Sequence, residues 1–211
     1  LRGILRASAH GDIKLMIPMI TCYEELEQTL DTIQSVMDEL RAEKRPFNDH
    51  IEVGIMIETP SAALIADRFA EKVDFFSIGT NDLVQYTIAV DRNSEKVAYL
   101  YQPSHPAILA LIKKTIEAAR DNGIWVSVCG EMAGDPRFTA ILVGLGVHEL
   151  SMSPVSMGPI QRLIRKLRMY EAEDLANDAL KCATAAEALK LSEDFLKRVA
   201  PGIFSLTAGG E

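Results

Sequence analysis

The chain has 211 residues, with 22 basic and 30 acidic side chains and a net charge of -8. A net-acidic chain of this length can bury one large core, and its charge argues against a nucleic acid or an anionic membrane as partner. Three widely separated cysteines indicate neither a disulfide framework nor a zinc site. The cysteine pattern therefore leads us to expect a reducing compartment. Because no apolar run is long enough to span a bilayer, we expect that compartment to be the cytoplasm.

The chain opens on a helical pattern. Residues 1–7 resemble the interior of a helix without a start signal, so we expect a fragment whose preceding context is missing. A capping box at Thr21 and Glu24 predicts the start of a second helix. Its apolar side chains recur at steps of four and three and form one buried stripe: Leu26, Leu30, Ile33, Met37 and Leu40.

Five short apolar runs predict strands, and a helix follows each of them. The runs are residues 13–20, 51–57, 73–78, 124–128 and 149–152. The second run is almost uninterrupted by charge, which is typical of a strand buried on both faces of a parallel sheet.

The helices between these strands have recognisable ends. Thr59 and Pro60 predict a helix start, as do Ser104 to Pro106, whereas Asn122-Gly123 predicts a left-handed helix end. A further helix is expected after Pro159.

This alternation predicts an α/β fold with right-handed crossovers. We expect an incomplete (β/α)8 TIM barrel, made of about the last five β/α units and additional helices. Residues 1–170 would form the barrel part, and residues 171–211 a C-terminal helical extension with a frayed tail from residue 206. A doubly wound open sheet is the alternative, weakened because no glycine-rich phosphate motif follows a strand.

Polar side chains follow three of the predicted strands: Glu58, Asn81 with Asp82, and Cys129. Chemistry in parallel α/β folds lies at this end of the strands. Glu58 and Asp82 are suitable ligands for Mg²⁺, which takes one or two protein carboxylates. From position alone, Glu58 could instead form a salt bridge and Asp82 could cap a helix.

Two further side chains are candidates for a phosphate site. Arg92 could bind phosphoryl oxygens with its forked guanidinium, or it could pair with Asp91 or Glu95. Cys129 precedes Gly130, which permits close approach of a ligand. An unperturbed thiol is mostly protonated at neutral pH, so Cys129 could act as a general acid, or it could be an inert, buried side chain.

Three segments in one order carry a resemblance to a known family: residues 54–60, residues 74–87 and residues 129–135. Together they resemble the C-terminal domain of the phosphoenolpyruvate-utilising enzymes. Residues 89–92 and 100–103 favour the enzyme I family of the bacterial phosphotransferase system, the phosphoenolpyruvate–protein phosphotransferases. The resemblance covers residues 1 to about 170 and continues more weakly through the final helices.

The resemblance implies a role for each candidate residue. Glu58 and Asp82 would hold Mg²⁺ against phosphoenolpyruvate, and Asn81 and Arg92 would bind the phosphoryl group. Cys129 would protonate C3 of the enolate to give pyruvate. The phosphoryl-accepting histidine and the docking site for the small phosphocarrier protein would lie in a missing N-terminal domain, so we expect this chain alone to be inactive.

Two other functions are compatible with the same residues. One is a Mg²⁺-dependent enzyme acting on pyruvate enolates, such as pyruvate phosphate dikinase or phosphoenolpyruvate synthase, or a lyase or aldolase. A lyase or aldolase would use the same Glu58 and Asp82 but would not need Cys129. The other is a non-catalytic module for phosphoenolpyruvate binding or dimerisation. Because an incomplete barrel exposes the edges of its first and last strands, we expect a homodimer or cover by another segment.

Overall fold

A computed structural model gives the fold of the protein and describes residues 1–203. The tail predicted from residue 206 lies outside this part of the chain. Five strands form one parallel sheet. They are β1 (Leu15–Ile17), β2 (Val53–Ile57), β3 (Phe75–Gly79), β4 (Trp125–Cys129) and β5 (Glu149–Leu150).

Helices connect and follow these strands within the described residues. They are α1 (Arg2–Ala7), α2 (Tyr23–Ala42), α3 (Pro60–Leu64), α4 (Ala66–Ala70), α5 (Thr80–Ile88), α6 (Pro106–Asp121), α7 (Glu131–Gly134), α8 (Pro136–Leu145), α9 (Pro154–Ile164), α10 (Met169–Ala179) and α11 (Ala185–Val199). The two final helices confirm the helical region predicted after the last strand. None of the helices in residues 1–203 has the length and apolar character needed to cross a membrane.

The order of the strands decides between the two predicted architectures. Each strand pairs with the next one in the chain, so the spatial order is β1-β2-β3-β4-β5. A doubly wound sheet reverses its order at a switch point, and this sheet has none. The described residues therefore form an arc of consecutive β/α units, as in part of a (β/α)8 barrel, with β1 and β5 at its edges.

The two faces of the sheet differ in character because side chains alternate along a strand. One face packs under the helices and is apolar, with six fully buried side chains: Ile55, Ile57, Phe76, Ile78, Val126 and Val128. The opposite face corresponds to a barrel interior. At its amino end, Phe75 and Trp125 stack with ring centroids 4.3 Å apart. At its carboxyl end, Gly79 lies beside Cys129.

Trp125 ties three strands together at that amino end. Its indole N–H donates to the Glu52 carboxylate at 3.0 Å, across β3, and Glu52 also pairs with Lys14. The Lys14 ammonium lies 5.3 Å from the centre of the indole ring. Aromatic and charged groups thus close the amino end of this face, and the carboxyl end remains the place for chemistry.

Local capping explains several helix starts. The Thr59 hydroxyl accepts from the Ala62 N–H at 3.3 Å, which confirms the predicted cap before Pro60. The predicted capping box at Thr21 and Glu24 is wrong by one residue. The helix is capped at Cys22, and the Glu25 carboxylate accepts from the Thr21 and Cys22 N–H groups at 2.8 and 3.3 Å.

Other boundaries also shift. Four of the predicted strands are one to five residues too long, because only part of each apolar run pairs with a neighbour. The strand predicted at residues 124–128 has the right length but is shifted by one residue, and both β3 and β4 end one residue later than predicted. The helix predicted after Pro159 begins at Pro154 and contains Pro159 in its interior. Pro154 occupies the first helical turn, where a missing N–H leaves no hydrogen bond unmade, and it is therefore the proline that starts the helix.

Helices α8 and α10 approach most closely at Gly144. A side-chain carbon built there would collide with the backbone carbonyl of Ala172, which cannot rotate away. We expect Gly144→Ala to lower the free energy of unfolding by roughly 1–3 kcal/mol, the usual cost of overpacking. Chemical denaturation followed by circular dichroism measures this change. Gly3→Ala is the matched control, because a carbon at that helical position meets no atom within 4 Å. Equal stability of the two variants would contradict the prediction.

Candidate active site at the carboxyl ends of the strands

Glu58 directly follows β2 and is 4% exposed. One carboxylate oxygen accepts from the backbone N–H of Met19 at 2.7 Å. Burial raises the pKa of Glu58, the Met19 N–H opposes this, and the negative charge of Asp82 raises the pKa further. Glu58 forms no salt bridge within residues 1–203, so its predicted alternative role is not found.

Asp82 lies in the first turn of α5, where it faces Glu58. It does not cap the helix, because α5 begins at Thr80 and Gly79 is the capping residue. The other Glu58 oxygen lies over Gly79, where a side-chain carbon would approach it to 2.9 Å. The chain therefore places two carboxylates from consecutive units side by side, as predicted.

This carboxylate pair fits Mg²⁺ by number and chemistry. Within the described residues, no group of three or more His, Cys, Asp or Glu side chains is arranged for a metal ion. Mg²⁺ needs fewer, because it keeps several waters and takes one or two carboxylates together with substrate oxygens. A bound cation would offset the electrostatic repulsion between the two neighbouring carboxylates.

Arg92 follows the end of α5 and approaches Asp82. Its guanidinium lies 4.0 Å from an Asp82 oxygen, and its side chain is 37% exposed. The backbone N–H of Arg92 donates to the Gln85 side chain at 3.3 Å. The predicted alternative partners were Asp91 and Glu95, and the structure instead brings Arg92 to Asp82.

The two polar atoms of the Asn81 side chain have different roles: the oxygen bonds to the protein backbone, and the nitrogen is available to a ligand. Its carbonyl oxygen accepts from the Glu131 N–H at 3.0 Å, and its backbone carbonyl accepts from the Tyr101 hydroxyl at 3.3 Å. The amide nitrogen makes no hydrogen bond to any residue that the structure describes. That nitrogen is therefore the atom that can donate to a bound oxyanion.

Cys129 ends β4 and is half-buried. The Ser77 hydroxyl lies 3.7 Å from the sulfur, and the thiol lies 3.5 Å from the carbonyl oxygen of Ile78. Burial raises the pKa of the thiol, the Ser77 hydroxyl opposes this, and the charges of Glu58 and Asp82 raise it further. The thiol therefore carries its proton at neutral pH, as a general acid must.

An open cleft of about 830 Å³ begins at Asn81 and Cys129 and extends toward β5. Its other lining residues include Glu131, Arg137 and Ser151. The Arg137 guanidinium forms a two-point ion pair with Asp135, at 2.6 and 2.9 Å from one carboxylate oxygen. Glu58 and Asp82 are not among the lining residues and lie beside the cleft.

Comparison with known proteins identifies the family. The sequence profile described as "PEP-utilising enzyme, PEP-binding domain" matches residues 1–169. The chain belongs to this family.

Curated relatives agree with the profile. The chain is 50% identical to the phosphoenolpyruvate-protein phosphotransferase of Haemophilus influenzae over 196 residues, 93% of the chain and 34% of that protein. It is 48% identical to the proteins of the same name from Staphylococcus carnosus and Listeria monocytogenes, over 93% and 92% of the chain. The chain spans about a third of the length of these relatives, 34% in each case.

A solved structure supports the fold alone. The chain superposes on the crystal structure of a citrate lyase from Burkholderia xenovorans LB400 with a TM-score of 0.56 and 17% sequence identity. The match covers 93% of this chain and 66% of that chain. It confirms the predicted barrel-type α/β fold.

Sequence reasoning overlooked two polar side chains at this site. Thr80 is 1% exposed, and its hydroxyl donates to the backbone carbonyl of Cys129 at 2.8 Å. Tyr101 contacts Asn81, and burial raises the pKa of its hydroxyl. Both lie in segments that the sequence analysis had singled out, but a threonine at a helix start and a tyrosine in a loop carry no chemical signature by themselves.

Proposed function

We propose that this domain binds phosphoenolpyruvate in a phosphoenolpyruvate–protein phosphotransferase and assists transfer of its phosphoryl group to a histidine in another part of that enzyme. The observation that carries the proposal is the meeting of two carboxylates, an amide and a thiol at one end of the sheet. Glu58 and Asp82 lie side by side there, and Asp82 and Asn81 are adjacent in α5. Cys129 ends the neighbouring strand.

Glu58 and Asp82 would hold Mg²⁺, which when bound neutralises charge on the phosphate and carboxylate of phosphoenolpyruvate. The Asn81 amide nitrogen and the Arg92 guanidinium would bind phosphoryl oxygens. Phosphoryl transfer through a loose transition state depends mainly on such positioning and charge neutralisation. These groups therefore supply part of the positioning and charge neutralisation that the reaction needs.

The bonds change in two steps. The bond from phosphorus to the enol oxygen breaks as a bond from phosphorus to the histidine nitrogen forms, which leaves the enolate of pyruvate. The Cys129 thiol then gives its proton to C3 of the enolate, and pyruvate is complete. The resulting thiolate regains a proton from water. In the reverse direction the thiolate removes a proton from C3.

The remaining assignments follow from the same proposal. The substrate is phosphoenolpyruvate and the product pyruvate, and the histidine passes the phosphoryl group to a phosphocarrier protein of sugar transport in the cytoplasm. We place the boundary between the barrel part and the helical extension, predicted after residue 170, at the start of α10. Residues 204–211 of the predicted extension lie outside the described residues. The edges of β1 and β5 favour a homodimer or cover by another segment.

Protein phosphorylation is the decisive test. The full-length protein is incubated with phosphoenolpyruvate and Mg²⁺, and phosphohistidine and pyruvate are measured by mass spectrometry and a coupled assay. We expect one equivalent of each, and neither when EDTA removes the cation. A lyase or aldolase acting on the same enolate would give no phosphohistidine.

A binding module is the second candidate, because the chain spans only 34% of its relatives. Calorimetry of this chain with phosphoenolpyruvate tests it directly. We expect weak binding that requires Mg²⁺, since only part of a complete substrate site is provided by these residues. Binding of equal strength with and without Mg²⁺ would contradict the assignment of Glu58 and Asp82.

A further inference from the structure

One buried hydroxyl at the site has no part in the proposed reaction. Thr80 is the first residue of α5 and is 1% exposed. Its hydroxyl donates to the backbone carbonyl of Cys129 at 2.8 Å. A buried hydroxyl is costly unless it is bonded, so this contact fixes the side chain and the turn that it meets.

The turn contacted by Thr80 is built around Gly130. Its φ of 88° lies in the left-handed region, which side chains rarely adopt. A side-chain carbon at Gly130 would lie 2.7 Å from the Thr80 hydroxyl and 2.9 Å from the Asn81 carbonyl oxygen. The glycine therefore lets the turn fit directly against the start of α5.

Two side chains of α5 hold the peptide groups on both sides of this glycine. Thr80 binds the carbonyl of the peptide between Cys129 and Gly130. Asn81 accepts from the N–H of the peptide between Gly130 and Glu131, at 3.0 Å. Without these bonds, the freedom of a glycine would let the turn rotate relative to β4.

The position of the Cys129 sulfur depends on that backbone. The contacts of the sulfur are long, 3.7 Å to the Ser77 hydroxyl and 3.5 Å to the Ile78 carbonyl, and contacts to sulfur are weak. By contrast, the backbone carbonyl of Cys129 accepts a short hydrogen bond from the Thr80 hydroxyl. The backbone of Cys129 is thus held more firmly than its side chain.

We propose that Thr80 is a positioning residue, whose hydroxyl holds the Cys129 turn so that the thiol meets C3 of the enolate. This inference rests on the proposed function of Cys129 as the proton donor. Displacement of a reacting group by roughly 1 Å can cost about 100-fold in rate. The effect belongs to the proton-transfer step and not to substrate binding.

The test compares Thr80→Val and Thr80→Ser in the full-length protein. Valine keeps the shape but cannot donate, whereas serine keeps the hydroxyl. The assay follows exchange of the C3 protons of pyruvate with solvent deuterium by NMR in the presence of Mg²⁺. We expect Thr80→Val to lower kcat about tenfold or more with KM changed less than about twofold, and Thr80→Ser to restore most of the rate.

Thr115→Val is the matched control for loss of a buried threonine hydroxyl. Thr115 is 0% exposed, and its hydroxyl donates to the Leu111 carbonyl at 2.9 Å within α6, away from the site. This variant should keep its kcat.

Each contrary outcome has a distinct meaning. If Cys129→Ala loses exchange but Thr80→Val keeps the wild-type kcat, the positioning role is overturned and the proposed function stands. If Thr80→Val does not fold, Thr80→Ser decides, because a loss of kcat despite its hydroxyl would also overturn the role. If the wild-type protein itself shows no exchange, both the role and the proposed function fail.

Discussion

Replacement of Cys129 by alanine is expected to lower the rate of C3 proton exchange in pyruvate by about 10²–10⁴-fold, the usual contribution of a general acid or base. The thiol lies at the end of β4, and exchange needs it both as the thiolate, which removes a C3 proton, and as the thiol, which returns one. Alanine removes the proton donor and leaves the carboxylate pair unchanged. The measurement is NMR of pyruvate in deuterated buffer with the full-length protein and Mg²⁺.

The other two cysteines are the controls for this prediction. Cys22 caps α2, and the Cys182 thiol lies 3.5 Å from the Asp178 carbonyl oxygen in the helical region. Cys22→Ala and Cys182→Ala should exchange C3 protons at the wild-type rate. The rate of phosphoryl transfer to the histidine supplies a second comparison between Cys129→Ala and the wild type, because this step precedes protonation of the enolate. Unchanged exchange in Cys129→Ala would remove the thiol from the mechanism.

Replacement of Glu58 by glutamine is expected to abolish Mg²⁺-dependent binding of phosphoenolpyruvate. Glutamine preserves the volume and can still accept from the Met19 N–H, but it lacks the charge that a hard cation requires. The loss in affinity should exceed the roughly 10–100-fold effect of removing an outer-shell partner. Calorimetry with Mg²⁺ and phosphoenolpyruvate measures it.

Glu52→Gln is the matched control, because Glu52 lies at the other end of the same strand. Its ion pair with Lys14 is partly exposed, and such pairs contribute about 0–1 kcal/mol. This variant should bind Mg²⁺ and phosphoenolpyruvate as the wild type does. Wild-type affinity in Glu58→Gln would exclude Glu58 as a ligand.

The same substitution should have the opposite effect on stability without metal. The pKa of Glu58 is raised in the folded state, so its ionisation costs stability as the pH rises above its unfolded value of about 4.3. Glutamine removes this cost. Metal-free Glu58→Gln should therefore be more stable than the wild type at neutral pH, with the difference vanishing in acid. Added Mg²⁺ should stabilise only the wild type.

Much of this site could be predicted because a polar residue directly after an apolar run marks the end of a buried strand. Glu58 and Cys129 each follow an apolar run, and the topology of consecutive parallel strands brings such ends together. The assignment of roles needed the resemblance to a family, since a carboxylate or a thiol has several ordinary explanations at any strand end.

The details that escaped prediction depend on three-dimensional contacts. The contact between Thr80 and the Cys129 carbonyl joins two distant segments, and no local pattern encodes it. Pro154 and Pro159 both allow a helix start, and the helix begins at the earlier of the two prolines. The carboxamide oxygen of Asn81 is bonded to the backbone of a neighbouring unit, which a one-dimensional motif does not reveal.

The stacked pair at the amino end of the sheet also gives the protein a tryptophan fluorescence signal from a single site. Trp125 is the single tryptophan in the sequence, and its ring touches Phe75 and bonds to Glu52. Its emission therefore comes from one place, where β2, β3 and β4 meet. The proposed ligand site lies at the opposite end of the strands. The tryptophan fluorescence of this chain consequently reports whether the three strands remain assembled.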